Sequence, residues 1–196
     1  LDYQEHFDES IRWTHRTISS SGDWSGNLFD FYFRVIYRLS SDLNIPFVLN
    51  GITRVDNTEL HIALREALLN TLVHADYYGR QGTVIIRTPQ MITFSNPGDM
   101  RISLRAAVGG GVSDPRNSVL MKMFSLIGVG ERAGMGIPGL LDIWQRLTGM
   151  APIYAYQFSP NRVTVSMQIK MIGDKLVING GSGDKSATNS VIGNKS

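Results

Sequence analysis

The stretch Arg65-Glu66-Ala67-Leu68-Leu69-Asn70-Thr71-Leu72-Val73-His74-Ala75-Asp76 constrains the fold more than any other part of the chain. Leu60, Leu64, Leu68, Thr71, Leu72 and Ala75 recur at helical spacing and predict a helix with an apolar stripe. Glu66, Asn70 and His74 recur four residues apart and form a second, polar stripe on the same helix. Burying a carboxylate and a carboxamide is costly unless something pairs with them. A nucleotide with its metal ion is one candidate partner. On spacing alone, two residues at a wet helix edge are the simpler explanation of the pair.

The 196 residues fit one domain with a core of its own. A hydrophobic content of 42% with 18% charged residues is that of a globular protein in water. The formal net charge of +2 is too small to argue for nucleic acid as the partner of this segment. With no cysteine, disulfides, thiolate nucleophiles and cysteine metal sites are excluded. No apolar run is long enough for a membrane span and no secretory signal is visible, so a cytoplasmic setting without a membrane partner is expected. Leu1 in place of Met suggests a piece of a longer protein.

Local patterns divide the chain at about residue 172. Residues 1–172 read as the folded domain; residues 173–196, rich in Gly, Ser and Asn, read as a flexible linker or tail. One short strand is expected around Arg16-Thr17-Ile18, and Asp23 or Ser25 as the cap of a helix from Leu28 to Leu43. In that helix Phe29, Phe31, Phe33, Val35, Ile36 and Leu39 supply apolar weight. Phe47 to Val55 looks extended. The central helix should run from about Glu59 to Tyr77 and close on Gly79. Thr83–Thr88 and Met91–Asn96 form a hairpin across Pro89-Gln90. Arg101 to Asn117, with Gly109-Gly110-Gly111, reads as a long flexible loop of the lid or binding type. Helices over Ser118–Leu126 and Ile137–Leu147 follow, then a hairpin over Ile153–Phe158 and Arg162–Lys170. The fold class is therefore α/β (α+β): a two-layer sandwich of a mixed, mostly antiparallel sheet with helices on one face.

Four pieces can carry chemistry. Glu66 can act as a general base, and Asn70 can ligate magnesium through its carbonyl oxygen. Asn96 can hydrogen-bond a base edge, and Gly98 lets a ligand approach the backbone. Gly134 and Gly136, at a helix start, offer bare N–H groups to an anion. Arg116 can reach phosphate, while Asn117 can cap the helix that follows. Taken singly, a helix edge, a turn, a loop-to-helix junction and a cap are the simpler explanations of these pieces. A histidine-rich metal site is disfavoured, because His6, His15 and His61 show no paired spacing with His74. There is no serine in a nucleophile elbow and no GxxxxGK[ST] loop.

The order of these pieces carries a resemblance. Leu64-Arg65-Glu66-Ala67-Leu68-Leu69-Asn70, His74-Ala75-Asp76-Tyr77, Ser95-Asn96-Pro97-Gly98, Pro115-Arg116-Asn117 and Glu131-Arg132-Ala133-Gly134-Met135-Gly136-Ile137 follow one another along the chain. From Leu28 to Lys170 this resembles the ATPase-like domain of RecG-helicase-like transcriptional regulators, which often carry an upstream Schlafen/AlbA-like domain. That domain resembles a divergent branch of the GHKL (Bergerat-fold) superfamily of gyrase, MutL and sensor histidine kinases. The resemblance implies ATP and Mg2+ as ligands. It implies Glu66 as the water-activating base and Asn70 as the metal-holding residue. Asn96 stands where the superfamily has an adenine-binding aspartate, and Gly134 and Gly136 match a glycine box beside the phosphates. The segment from Arg101 to Asn117 would be the ATP lid. The expectation is an ATP-binding regulatory domain, at most weakly hydrolytic, of a bacterial DNA-associated regulator. DNA would be bound through other domains, and relatives often form homodimers. The alternative is a non-hydrolysing scaffold with a degenerate pocket that acts through protein partners. A nucleic-acid-binding module ranks third, since the charge is nearly balanced.

Overall fold

The computed structural model describes residues 1–42, 48–50, 53–55, 58–129, 136–169, 171–172 and 175–176. Strands β1 (Asp2–Glu5), β2 (His15–Ile18), β5 (Val84–Arg87), β6 (Met91–Pro97), β7 (Ile153–Phe158) and β8 (Asn161–Gln168) form a six-stranded mixed sheet. Its order is β2-β1-β5-β6-β8-β7, and only the β1–β5 pair is parallel. Alternation builds its covered face: Val163, Val165 and Met167 of β8 are buried between half-exposed or exposed neighbours, Ile85 of β5 and Ile92 of β6 do the same, and Phe94 follows half-exposed Thr93. Short pairs β3 (Val48–Asn50) with β4 (Thr53–Val55), and β9 (Met171–Ile172) with β10 (Lys175–Leu176), stand outside this sheet. Apart from Lys175 and Leu176, the expected tail at 173–196 lies outside the described residues.

Helix α2 (Glu59–His74) is the centre of the molecule, packed on β6, on α1 (Leu28–Asp42) and on α5 (Gly136–Thr148). It begins at Thr58, whose backbone N–H donates to His61 Nδ1 at 3.3 Å. It ends earlier than the sequence suggested. Ala75 turns to extended geometry (φ −65°, ψ 142°), and Gly79 is not among the positive-φ glycines. A second difference is burial. Ala63, Ala67, Leu69 and Val73, off the expected stripe, are buried as well, because neighbours flank the helix on several sides. Glu66 is therefore set into a nearly closed helix surface, with 8% of its area exposed.

The other helices are one-sided. In α5, Leu140, Ile143, Trp144 and Leu147 face the core at helical spacing. In α1, Phe31, Tyr32, Val35 and Leu39 do so, whereas Phe29 and Phe33 lie on the outer side and meet each other with ring centroids 4.8 Å apart. The cap of α1 is Asn27, whose Oδ1 accepts from the Asp30 N–H at 2.8 Å; neither Asp23 nor Ser25 fills that role. Strand β1 was not foreseen. Its Glu5 is almost fully buried and is held by the Arg38 guanidinium and the Tyr3 hydroxyl. The segment 101–117 is not uniformly irregular: α3 (Leu104–Gly109) forms within it, and Ser103 Oγ accepts from the Ala106 N–H at 3.2 Å. Among the described residues, no helix is long and apolar enough to cross a membrane.

Candidate nucleotide site

A cavity of about 380 Å³ opens between α2, the ends of β6 and β8, the segment 99–114 and the start of α5. The polar stripe of α2 forms one wall, and Glu66, Asn70 and His74 all reach it. Helical spacing stacks Glu66 and Asn70, and the Asn70 amide donates from Nδ2 to Glu66 Oε1 at 2.9 Å. That bond orients both groups. It leaves Glu66 Oε2 and Asn70 Oδ1 for something else, since a carboxamide that donates through its nitrogen keeps its oxygen as an acceptor. Burial holds the Glu66 carboxyl above its ordinary value of 4.5, and the Asn70 hydrogen bond pulls it partly back. A carboxylate so placed is a stronger base than an exposed glutamate.

His74, one turn further on, is kept neutral over a wider pH range. Burial lowers its pKa first and Arg116 adds to that; Asp114 opposes it, and Arg101 again lowers it. Among the described residues, no group of three or more His, Asp or Glu is arranged to hold a metal ion. A metal brought in with a polyphosphate needs only one or two protein oxygens, and Asn70 Oδ1 is a suitable one.

On the sheet side, Asn96 sits at the end of β6 with 6% exposure and faces the cavity beside Val163, its cross-strand partner. Its neighbours Ser95 and Thr164 point away to the other face, where their hydroxyls share a 2.9 Å hydrogen bond. Gly136 opens α5 at φ +50° and lines the cavity with Ile137 and Pro138. The start of this 13-residue helix, whose first N–H groups have no partner within the helix, thus borders the site; Pro138 has no N–H. Gly110 and Gly111, at φ +73° and +78°, bring the 99–114 segment across the opening. A Cβ on Gly110 would stand 3.4 Å from Pro138 Cγ, so this turn rests against the start of α5. Gly134 lies outside the described residues.

Gly98 and Arg116 are placed differently from the rest, beside the cavity wall rather than in it. Arg116 donates from Nε to the His74 carbonyl at 3.3 Å and from an Nη to the Asp99 carbonyl at 2.9 Å. Gly98, at φ +95°, leaves the space this needs: a Cβ there would come within 3.1 Å of both the guanidinium and Asp76 Cβ. Asn117 stands at the start of α4 (Ser118–Leu126), but its amide donates to the Val73 and Ala75 carbonyls rather than capping α4. Arg116 and Asn117 together tie the end of α2 to the lid segment and satisfy carbonyls that a helix terminus leaves open.

The structure adds residues that no motif marked. Tyr154 on β7 lines the cavity; burial, and then the Glu66 charge, raise its pKa. It is the single residue of β7 that is not exposed, a signal visible only once the strand's place at the sheet edge is known. Arg101 and Asp114 form a 2.9 Å ion pair joining the two ends of the lid segment, and Asp99 lies on the same rim.

Residues 84–167 match the family described as "Putative ATP-dependent DNA helicase recG C-terminal", which fits an ATPase-like domain. The matched stretch contains Asn96, Gly98, Arg116 and Gly136 and begins after Glu66 and Asn70. Among solved structures, the fold is similar to the crystal structure of the DIP2311 protein from Corynebacterium diphtheriae. The likeness has a TM-score of 0.64 at 15% identity and covers 86% of this chain. The chain spans 34% of that protein's length. No curated protein matches.

Proposed function

We propose that this domain binds ATP with magnesium in a Bergerat-type pocket and hydrolyses it slowly. The observation that carries the reading is the hydrogen-bonded Glu66–Asn70 pair on the wall of a cavity whose other sides are Asn96 and the start of α5. The match of residues 84–167 to an ATPase-like family supports it. In this reading the base lies against Asn96 and the triphosphate runs toward α5, where the N–H groups of the helix start offset its charge. Asn70 Oδ1 would hold the magnesium ion, which when bound neutralises phosphate charge. Glu66 orients a water and takes its proton as the water oxygen attacks the γ-phosphorus; the bond to the bridging oxygen breaks and ADP leaves with the electron pair. Asn70 keeps Glu66 turned toward that water throughout.

The Gly109–Gly111 turn then closes over bound ATP, and its rest position against Pro138 links closure to α5. Such closure would alter how neighbouring domains of a longer regulator are arranged, with DNA bound through those domains, in the bacterial cytoplasm and as a homodimer. A rival reading, a scaffold with a degenerate pocket acting through protein partners, draws on Asn96 in the place of an aspartate. Thermal melting separates the two. A ligand that binds only the folded state at a hundredfold its Kd adds about 2.7 kcal/mol, which is a rise of roughly 5–10 °C for a domain of this size. The scaffold reading gives no shift at millimolar ATP and magnesium.

A further inference from the structure

We infer that Asn96 makes the base subsite tolerant of the purine 6-substituent, so that 6-oxo and 6-amino purine nucleoside triphosphates bind comparably. This rests on the nucleotide reading above and specifies its substrate class. Three features of the site carry it. The Asn96 carboxamide is not locked in one orientation. Its Nδ2 contact to the Pro97 carbonyl is 3.5 Å, beyond good hydrogen-bond length, and that carbonyl already accepts the Asp76 N–H at 2.8 Å. Among the described residues, no protein donor reaches Asn96 Oδ1, and that oxygen is not sealed from the cavity. The sheet residues beside Asn96 add no competing side-chain hydrogen bond: Val163 and Val165 are apolar, and Ser95 and Thr164 are paired on the opposite face.

The chemistry follows from the inventory of donors and acceptors. A carboxamide presents an N–H donor and a carbonyl acceptor side by side. Adenine offers the 6-amino donor next to the N1 acceptor. Hypoxanthine and guanine offer the 6-oxo acceptor next to the N1–H donor. Turning the Asn96 amide by about 180° converts the complement of one edge into the complement of the other, two hydrogen bonds each time. An aspartate in this position would only accept. On either edge it would pair with one donor and meet one acceptor, and turning it would gain nothing.

The test is equilibrium binding of ATP and ITP, each with magnesium, to the wild-type chain and to Asn96→Asp. ITP differs from ATP at the base only by the 6-oxo group and the N1 proton. The wild type should bind the two within about fivefold, and Asn96→Asp should weaken both by about tenfold or more, the scale of one buried polar mismatch. Asn96→Ala serves where the aspartate variant does not fold, and it should weaken ATP and ITP by a similar factor. A wild type that prefers ATP by more than about twentyfold overturns the inference while leaving the nucleotide reading intact. So does an Asn96→Asp variant that binds either nucleotide as tightly as the wild type. A wild type that binds neither nucleotide at millimolar concentration overturns both.

Discussion

Glu66→Gln will lower ATP turnover by about 10²–10⁴-fold, the range that one positioned general base contributes, and will leave ATP affinity nearly unchanged. Glutamine keeps the shape of the side chain and an oxygen to accept from Asn70 Nδ2, so the 2.9 Å contact that orients the pair survives. What disappears is the proton acceptor. The wild-type rate should also fall on the acid side of neutrality with a midpoint above 4.5, because burial raises the Glu66 pKa. Stability should move the other way. The native state holds this proton more tightly than the unfolded chain, so stability is greatest below the unfolded pKa and declines as pH rises through the folded one. Glu66→Gln removes that decline and should melt no lower than the wild type at pH 7. Steady-state phosphate release with a parallel binding titration checks the first part, and melting between pH 4.5 and 7.5 checks the second. Turnover that survives Glu66→Gln would remove Glu66 from the role of base.

Trp144→Ala will destabilise the domain by about 3–5 kcal/mol, the usual cost of emptying a large aromatic site in a core. Trp144 has no exposed surface, and its Nε1 donates to the Gln168 carbonyl at 2.9 Å, fastening α5 to the end of β8. Phenylalanine in its place should cost less, about 1–2 kcal/mol, chiefly through the lost hydrogen bond. Denaturant titration measures both. The substitution also bears on the site. Leu140, Pro138 and Gly136 of the same helix line the cavity, so an α5 that no longer docks through Trp144 presents its N-terminus less firmly to phosphate.

The sequence was most informative where local spacing and tertiary structure agree. The polar stripe of α2 was readable because residues four apart share a helix face whatever surrounds them, and Glu66, Asn70 and His74 do share the cavity wall. Hairpins β5–β6 and β7–β8 were readable because turn residues lie between alternating runs. What was not readable depends on distant partners. Strand β1 is four residues, three of them polar, and it exists through pairing with β5 about eighty residues away. Helix α3 is short and borders glycines, so composition hid it. Burial of Leu69 and Val73 requires neighbours on sides of α2 that no periodicity reveals. Arg116 and Asn117 both donate to carbonyls at the end of α2, contacts across more than forty residues that local spacing does not reveal. Tyr154 entered the site only because β7 is an edge strand crossing near Glu66.

The most direct test of the nucleotide reading is a crystal structure of this chain soaked with a non-hydrolysable ATP analogue and magnesium. The account predicts the base against Asn96, a metal ion on Asn70 Oδ1, the triphosphate at the start of α5 and a water within hydrogen-bond reach of Glu66. An analogue bound elsewhere, or a cavity left empty at millimolar ligand, would contradict it.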